Sequence, residues 1–185
     1  LPFKRYQIQL VWRADRPQKG RFREFLQCDA DVIGSKSLLQ EVDFIHLFSD
    51  VFNSLKIPDC KIRVNHRKIL IGLSEVLKLE DKLIELTVIL DKTDKIGLKA
   101  ACELMIERGI SQEIADKLFK VFNIQGSNKE ILNHLEAFNT TTLSSIIDYA
   151  DKLGFEENLN INLGVVRGLD YYTGLVFEVV DEQIK

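Results

Sequence analysis

Cysteine, proline and long apolar runs are all scarce in this sequence of 185 residues. The three cysteines, Cys28, Cys60 and Cys102, are odd in number, widely spaced and set among apolar residues. They predict buried free thiols in a reducing compartment, and they argue against a disulfide framework or a zinc site. No apolar run approaches the length of a membrane span, and the first residues do not resemble a signal peptide. These absences indicate a cytosolic protein with no membrane partner.

Net charge is also small, at a formal −3, so the chain as a whole has no electrostatic footprint for nucleic acid. Charged residues at 29% and apolar residues at 45% are typical of an ordinary soluble globular protein. Any RNA contact must therefore come from a local patch, and residues 13–23 form the most basic one. The chain lacks an initiator methionine and stops just after a strand-like run, so we expect a piece of a longer protein.

The most informative pattern lies near the amino end of the chain. Residues 6–12 alternate apolar and polar side chains and so predict a half-buried strand. A polar loop at 14–20 cannot continue that strand, and a second strand-like run follows at 22–33. The two runs predict an antiparallel hairpin with a long basic loop.

One face of the second strand is unusual in composition. Phe25, Gln27, Asp29 and Asp31 are spaced by two and therefore share a face. This face is either an ordinary solvent-exposed side of a sheet or the floor of a pocket for a ligand with a cationic part and a flat ring. On the second interpretation, the arginines that flank the loop grip phosphate oxygens through their planar guanidinium groups.

The following segment predicts a helix and a strand. Residues 35–55 carry a helical apolar stripe, in which His46 is interpreted as an ordinary helix residue because no second metal ligand lies at helical spacing. Residues 61–65 alternate as a strand that would extend an antiparallel sheet beside the hairpin, and they lead into an apolar region at 69–79. His66 is interpreted as structural, since nothing supplies the carboxylate that would orient a catalytic base.

Helical patterns dominate from about residue 79 to residue 159. Gly109 and Gly154 lie where helix-ending glycines belong, and Ser111 and Ser127 lie at helix starts. A row of lysines, Lys92, Lys95 and Lys99, is interpreted as a solvated helix face. The sequence predicts an all-helical insert with helices over 80–90, 97–108, 112–122, 129–138 and 143–153.

A strand pattern returns at residue 160 and surrounds a polar, glycine-bearing centre at 167–174. Gly168 and Gly174 permit tight turns or the close approach of a ligand. Tyr171 and Tyr172 point to opposite faces if the backbone there is extended. Taken alone, this stretch is a surface hairpin with an incidental arginine.

Two stretches carry a family resemblance. Residues 12–31, WRADRPQKGRFREFLQCDAD, resemble the second signature motif of class II aminoacyl-tRNA synthetases in the form found in histidyl-tRNA synthetases. Residues 166–174, VRGLDYYTG, are similar to the histidine-recognition motif of that family. The resemblance covers essentially the whole chain and implies an α+β fold. It implies a partial antiparallel-sheet class II catalytic core at 1–78 and 160–185, with an all-helical insertion domain at 79–159.

The resemblance also implies a reaction and its partners. The family uses ATP, with Mg²⁺ accompanying the nucleotide, to form histidyl-adenylate, and then transfers the histidyl group to tRNA(His). The enzymes are cytoplasmic homodimers without a structural metal, and the insertion domain lies over the acceptor arm of the tRNA. The first and third motifs and the anticodon-binding domain do not occur in this sequence, so we expect little or no aminoacylation from the chain alone.

The resemblance assigns roles to residues in the ATP site. Arg13 would grip the α-phosphate and the histidine carboxylate, and Arg167 would approach from the other side, where related synthetases use a metal ion. Arg21 would reach the outer phosphates, and Phe25 would stack on adenine. Asp15 stands where class II enzymes commonly have glutamate, and it would contact adenine or the end of the tRNA with less reach.

The remaining roles concern histidine. Gln27 would hold the amino group of the substrate, and Asp31, where some members have glutamate, would face the imidazole. Tyr172 would form a hydrogen bond with the other ring nitrogen, and Tyr171 is its neighbour in the histidine-binding motif. Two alternatives remain: a non-catalytic paralogue that acts as a regulatory subunit in histidine biosynthesis, and an RNA-binding scaffold module.

Overall fold

The computed structural model describes residues 1–57, 59–138, 140–154, 156–166 and 172–181. Contacts between Cα atoms divide the chain into two units, Leu1–Gln40 and Glu41–Lys185. Among the described residues, no helix is long and apolar enough to cross a membrane.

The first unit is the predicted hairpin. Strand β1, Phe3–Trp12, pairs antiparallel with β2, Glu24–Ile33, in a register that places Gln9 opposite Gln27. Because opposite residues share a face, most polar side chains of both strands line one side, which also carries Phe25, and most apolar ones line the other. The hairpin is confirmed, although β1 begins three residues earlier than predicted and β2 begins at Glu24, since Phe22 still belongs to the loop.

The cysteines are free thiols, as predicted, but they are not all buried. Cys102 is buried, Cys60 is half-buried and Cys28 is exposed. Cys28 lies on β2 opposite Ile8, which is itself 63% exposed. A two-stranded sheet cannot cover its own apolar face, so the prediction of burial is wrong for Cys28.

A three-stranded sheet organises the second unit. Its central strand β3, Cys60–His66, lies between β4, Leu159–Ile161, which runs parallel to it, and β5, Leu175–Asp181, which runs antiparallel. The strand was predicted, but its partners were not. It forms the centre of a mixed three-stranded sheet with distant parts of the chain, where an antiparallel neighbour alone had been expected.

Every helix predicted between residues 79 and 159 is present, with ends that shift by a few residues. Short 3-10 turns at 80–82 and 136–138 replace the first turn of one predicted helix and the end of another. Two helices were not predicted, the one in the apolar region after β3 and a short one that follows Lys92. The helices are α1 (Leu39–Ser54), α2 (Arg67–Leu77), α3 (Leu83–Leu90), α4 (Thr93–Ile96), α5 (Leu98–Glu107), α6 (Gln112–Phe122), α7 (Asn128–His134) and α8 (Thr141–Leu153).

The predicted helix boundaries are confirmed by their capping geometry. Ser111 Oγ accepts from the backbone of Ile114 at the start of α6. Ser127 and Glu130 form a reciprocal capping box at the start of α7, with Glu130 Oε2 2.7 Å from Ser127 N. At the other ends, Gly109 and Gly154 adopt positive φ angles of 79° and 80°, which glycine reaches without steric cost.

The helices and the three-stranded sheet share contacts throughout the second unit. Asn128 of α7 donates to Leu159 O at 3.0 Å and accepts from Ile161 N at 2.9 Å, so a buried amide joins α7 to β4. The apolar core of the helical segment also includes Leu73 of α2 and Val166. The division of the chain at residues 79 and 159 stays a prediction.

Candidate active site

The loop between the hairpin strands is ordered by its own backbone. Arg13 N donates to Arg23 O at 2.9 Å, which continues the strand pairing one step beyond Trp12 and Glu24. Further out, Gln18 and Arg21 exchange two backbone hydrogen bonds of 3.2 and 2.9 Å. These bonds bring the two arginines that flank the loop to the same side of it.

A single carboxylate oxygen joins those arginines. Asp15 Oδ2 lies 3.1 Å from Arg13 Nε, 3.0 Å from Arg21 Nε and 2.8 Å from Arg21 Nη2. All three side chains are between 36% and 47% exposed, so each ion pair adds no more than about 1 kcal/mol to stability. The chief consequence is geometric, because two guanidinium groups are held around one anionic oxygen.

An aromatic ring completes this cluster. The guanidinium carbon of Arg13 lies 4.4 Å from the ring centroid of Phe25, which is the first apolar residue of β2. Arg13 Nε also donates to Phe22 O at 3.3 Å. A ring beside one planar cation, with a second cation joined to the first through Asp15, suits a ligand with a flat base and several phosphate groups.

The polar face of the hairpin continues from this cluster along β2. Gln27 Nε2 donates to Asp29 Oδ2 at 2.7 Å, and Asp31 Oδ2 lies 2.9 Å from Arg5 Nε. Arg5 was not among the predicted site residues. The signal was present nonetheless, since the register places Arg5 directly opposite Asp31, and opposite charges at such positions attract.

The predicted site residues lie in different parts of the chain. Four of them, Arg13, Asp15, Arg21 and Phe25, form one network of side-chain contacts in the hairpin unit. Gln27 and Asp31 lie further along the same face of β2, and Tyr172 lies in the second unit with 41% of its surface exposed. The remaining two, Arg167 and Tyr171, lie outside the described residues, and the functional roles of all nine stay predictions.

The histidines play other parts. His66 is buried, and its Nδ1 accepts from Lys68 N at 3.1 Å, so it caps the start of α2. Burial, and secondarily the charge of Lys68, lowers the pKa of His66, which favours the neutral ring that this cap requires. His46 is exposed on α1, 3.6 Å from Asp50. In the part of the chain that the structure covers, no three histidine, cysteine or acidic residues are arranged to hold a metal ion.

Solved structures define the fold class. The crystal structure of histidyl-tRNA synthetase from Nostoc sp. PCC 7120 superposes with a TM-score of 0.87 at 31% sequence identity, over 97% of this chain and 44% of that one. An ATP phosphoribosyltransferase regulatory subunit/histidyl-tRNA synthetase from Bacillus halodurans C has a TM-score of 0.81 at 20% identity, over 99% and 49% of the two chains. The second likeness shows the fold alone. The predicted α+β fold of a class II aminoacyl-tRNA synthetase core is therefore confirmed.

Sequence comparisons narrow this class to one family. The histidyl-tRNA synthetase family model matches residues 5–185, and the chain belongs to that family. Histidine–tRNA ligases from Christiangramia forsetii and Flavobacterium johnsoniae are 47% and 48% identical to it, each over 96% of this chain. The chain spans only about two fifths of the length of these curated relatives, 41% and 40% respectively.

Proposed function

We propose that the complete protein activates histidine with ATP and transfers it to tRNA(His). The observation that carries this proposal is the cluster of Arg13, Asp15, Arg21 and Phe25, which brings two guanidinium groups and an aromatic ring together where the loop joins β2. The relatives named histidine–tRNA ligase support the same reaction and the same substrates.

The proposed reaction has two steps. An oxygen of the histidine carboxylate forms a bond to the α-phosphorus of ATP while the bond to the β-phosphate oxygen breaks, which gives histidyl-adenylate and pyrophosphate. A hydroxyl oxygen of the terminal tRNA ribose then forms a bond to the histidyl carbonyl carbon, while the bond from that carbon to the phosphate oxygen breaks; AMP leaves, and the hydroxyl proton passes to solvent. The reacting groups of the first step, a carboxylate and a triphosphate, are both anionic, so positioning and charge compensation are the main requirements.

The arginines supply that compensation in this proposal. Arg13 binds the α-phosphate and the histidine carboxylate, and Arg21 binds the outer phosphates. Arg167 takes the opposite side of the α-phosphate as a permanent cation, since guanidinium does not titrate in proteins. Phe25 stacks on adenine, and Mg²⁺ accompanies ATP as its usual counterion.

Recognition of histidine is assigned to two residues of the polar face and to the stretch that contains Tyr171 and Tyr172. Gln27 holds the amino end, and Asp31 and Tyr172 serve the two ring nitrogens, one of which donates a hydrogen bond while the other accepts one. Tyr171 belongs to the same histidine-binding stretch. An amino acid without the ring would cover these polar groups and leave them unpaired, at about 1–3 kcal/mol for each group that it shields from water.

The proposal also covers partners and location. The helical insert approaches the acceptor arm of tRNA(His), and the complete enzyme is a homodimer in the cytoplasm. The regulatory-subunit alternative is supported by likeness of fold alone. One such likeness is to the ATP phosphoribosyl transferase (HisG:HisZ) complex from Thermotoga maritima, with 15% identity and a TM-score of 0.69. The RNA-scaffold alternative conflicts with the carboxylates Asp29 and Asp31, which repel phosphate.

Histidine-dependent exchange of pyrophosphate into ATP tests the proposal in the complete protein. Arg13→Ala should abolish exchange, and Arg13→Lys should reduce it about a hundredfold or more, since a point charge cannot replace the planar donor pair. Arg108→Lys, an exposed arginine at the end of α5, is the matched control and should exchange normally. Near-normal exchange by Arg13→Ala would reject the synthetase assignment, and histidine binding without any exchange in the wild type would favour the regulatory subunit.

A further inference from the structure

We propose that Arg5 is a positioning residue that makes the histidine pocket selective for a neutral ring. The proposal rests on the proposed function, in which Asp31 faces the imidazole of the substrate. Arg5 would act through Asp31, by fixing the direction of the carboxylate and by offsetting its charge.

The geometry of the pair comes from the hairpin register. Arg5 on β1 lies directly opposite Asp31 on β2, so both side chains project from the polar face that carries Gln27. Arg5 Nε lies 2.9 Å from Asp31 Oδ2, and Arg5 Nη2 donates to Gln7 Oε1 on the same face. Arg5 is thus held on two sides, and it holds Asp31 through one oxygen.

One oxygen of Asp31 remains to serve the substrate. An ionised carboxylate has two oxygens and about four acceptor sites, of which Arg5 Nε takes one on Oδ2. The ring N–H of histidine can then bond the carboxylate without displacing Arg5. The arginine also fixes the side-chain direction of Asp31, which removes part of the ordering cost that histidine binding would otherwise carry.

Charge gives Arg5 its second effect. A lone carboxylate in a side-chain pocket attracts any cation. The free amino acids arginine and lysine, which compete with histidine, have cationic side chains at every physiological pH. With Arg5 beside Asp31, the net charge of the pair is close to zero, so the pair attracts a cationic ligand only weakly. The carboxylate still accepts a hydrogen bond from a neutral N–H. Asp29 does not share this pairing, because its Oδ2 accepts from Gln27. Arg5 therefore disfavours cationic competitors and leaves recognition of the neutral ring intact.

The experiment uses pyrophosphate exchange by the complete protein at pH 8, where free histidine has a neutral ring. Arg5→Gln should raise the KM for histidine and strengthen competitive inhibition by L-lysine and L-arginine, each by roughly two- to fivefold, the range of an exposed ion pair. Arg5→Lys keeps the positive charge and should restore both values towards those of the wild type. The KM for ATP should not change in either variant.

Arg108→Gln removes an arginine from the end of α5 and is the matched control, which should leave every constant unchanged. The proposal is overturned if Arg5→Gln raises the KM values for histidine and ATP in parallel, because that result marks a purely structural role. Unchanged inhibition by lysine and arginine would also overturn it. Absence of exchange in the wild type would instead reject the proposed function itself.

Discussion

At the residue scale, Asp15 contacts the guanidinium groups of Arg13 and Arg21, to which the proposed function assigns the phosphates of ATP. Its Oδ2 accepts from Arg13 and Arg21 at distances of 2.8–3.1 Å, and its backbone oxygen accepts from Arg23 Nε at 3.1 Å. Two guanidinium groups this close repel each other unless an anion lies between them. Asp15 is therefore suited to keep the two cations together, and under the proposed function an oxygen of ATP would replace the carboxylate between them.

The consequence for Asp15→Asn is a split between KM and kcat. Removal of the competing anion should lower the KM for ATP by roughly two- to fivefold. Loss of the fixed arginine geometry should lower kcat by about tenfold, since small displacements of catalytic groups are costly. Pyrophosphate exchange measures both constants, and Asp15→Glu should retain most of the wild-type kcat. A higher KM with unchanged kcat would show instead that Asp15 contacts the nucleotide directly.

At the element scale, local signals were sufficient for most helices and insufficient for strand partners. Ser111 and Ser127 predict the starts of α6 and α7, because serine caps a helix through hydrogen bonds to residues only a few positions further along the chain. Helix α2 was missed because it follows β3 without a break and is capped by His66, which is not a usual capping residue. The partners of β3 lie about 100 residues away in the chain, and no periodicity encodes that pairing.

The cap at His66 predicts a pH dependence of folding. Burial lowers the pKa of His66 in the folded state below its ordinary value of 6.5, so between these two values the unfolded chain binds more protons. Stability should therefore be fully present above about pH 6.5 and should fall as the pH drops below it. His66→Asn keeps a side-chain acceptor for the start of α2 but cannot titrate in this range, so it should remove the part of the pH dependence of stability that His66 contributes. Urea unfolding between pH 5.5 and 7.5 gives the free energy of unfolding of both proteins at each pH. The same dependence of this free energy on pH in the variant as in the wild type would contradict the prediction.

The same local-versus-distant division applies to the candidate site. The cluster around Arg13 and Phe25 could be predicted because these residues lie in one short motif. Arg5 could not be found from the motif, since its partner Asp31 is 26 positions away and meets it only through the hairpin register. A short motif therefore names its own residues directly, whereas a pair such as Arg5 and Asp31 depends on a strand register that the motif does not contain.

At the scale of the whole molecule, burial is distributed unequally. Among the described residues, every buried hydrophobic side chain lies at Val42 or later in the chain, in the second unit. On the hairpin, Tyr6, Trp12 and Leu26 are 80%, 69% and 68% exposed. The sequence predicted a buried apolar face on these strands because alternation reports which side chains share a face, whereas burial depends on what covers that face.

Unequal burial predicts unequal protection from hydrogen exchange in this chain alone. An isolated two-stranded hairpin is marginally stable, so the amides that pair β1 with β2 should exchange through frequent local opening. The amides of β3, whose Ile62 and Val64 are no more than 2% exposed, should exchange only through opening of the second unit and so about a hundredfold more slowly or beyond. Exchange monitored by NMR separates the two sets, with the interior amides of α5 as an internal control that should follow β3. Equal protection of β2 and β3 would contradict the prediction, because it would mean that the hairpin is stabilised by contacts beyond its own two strands.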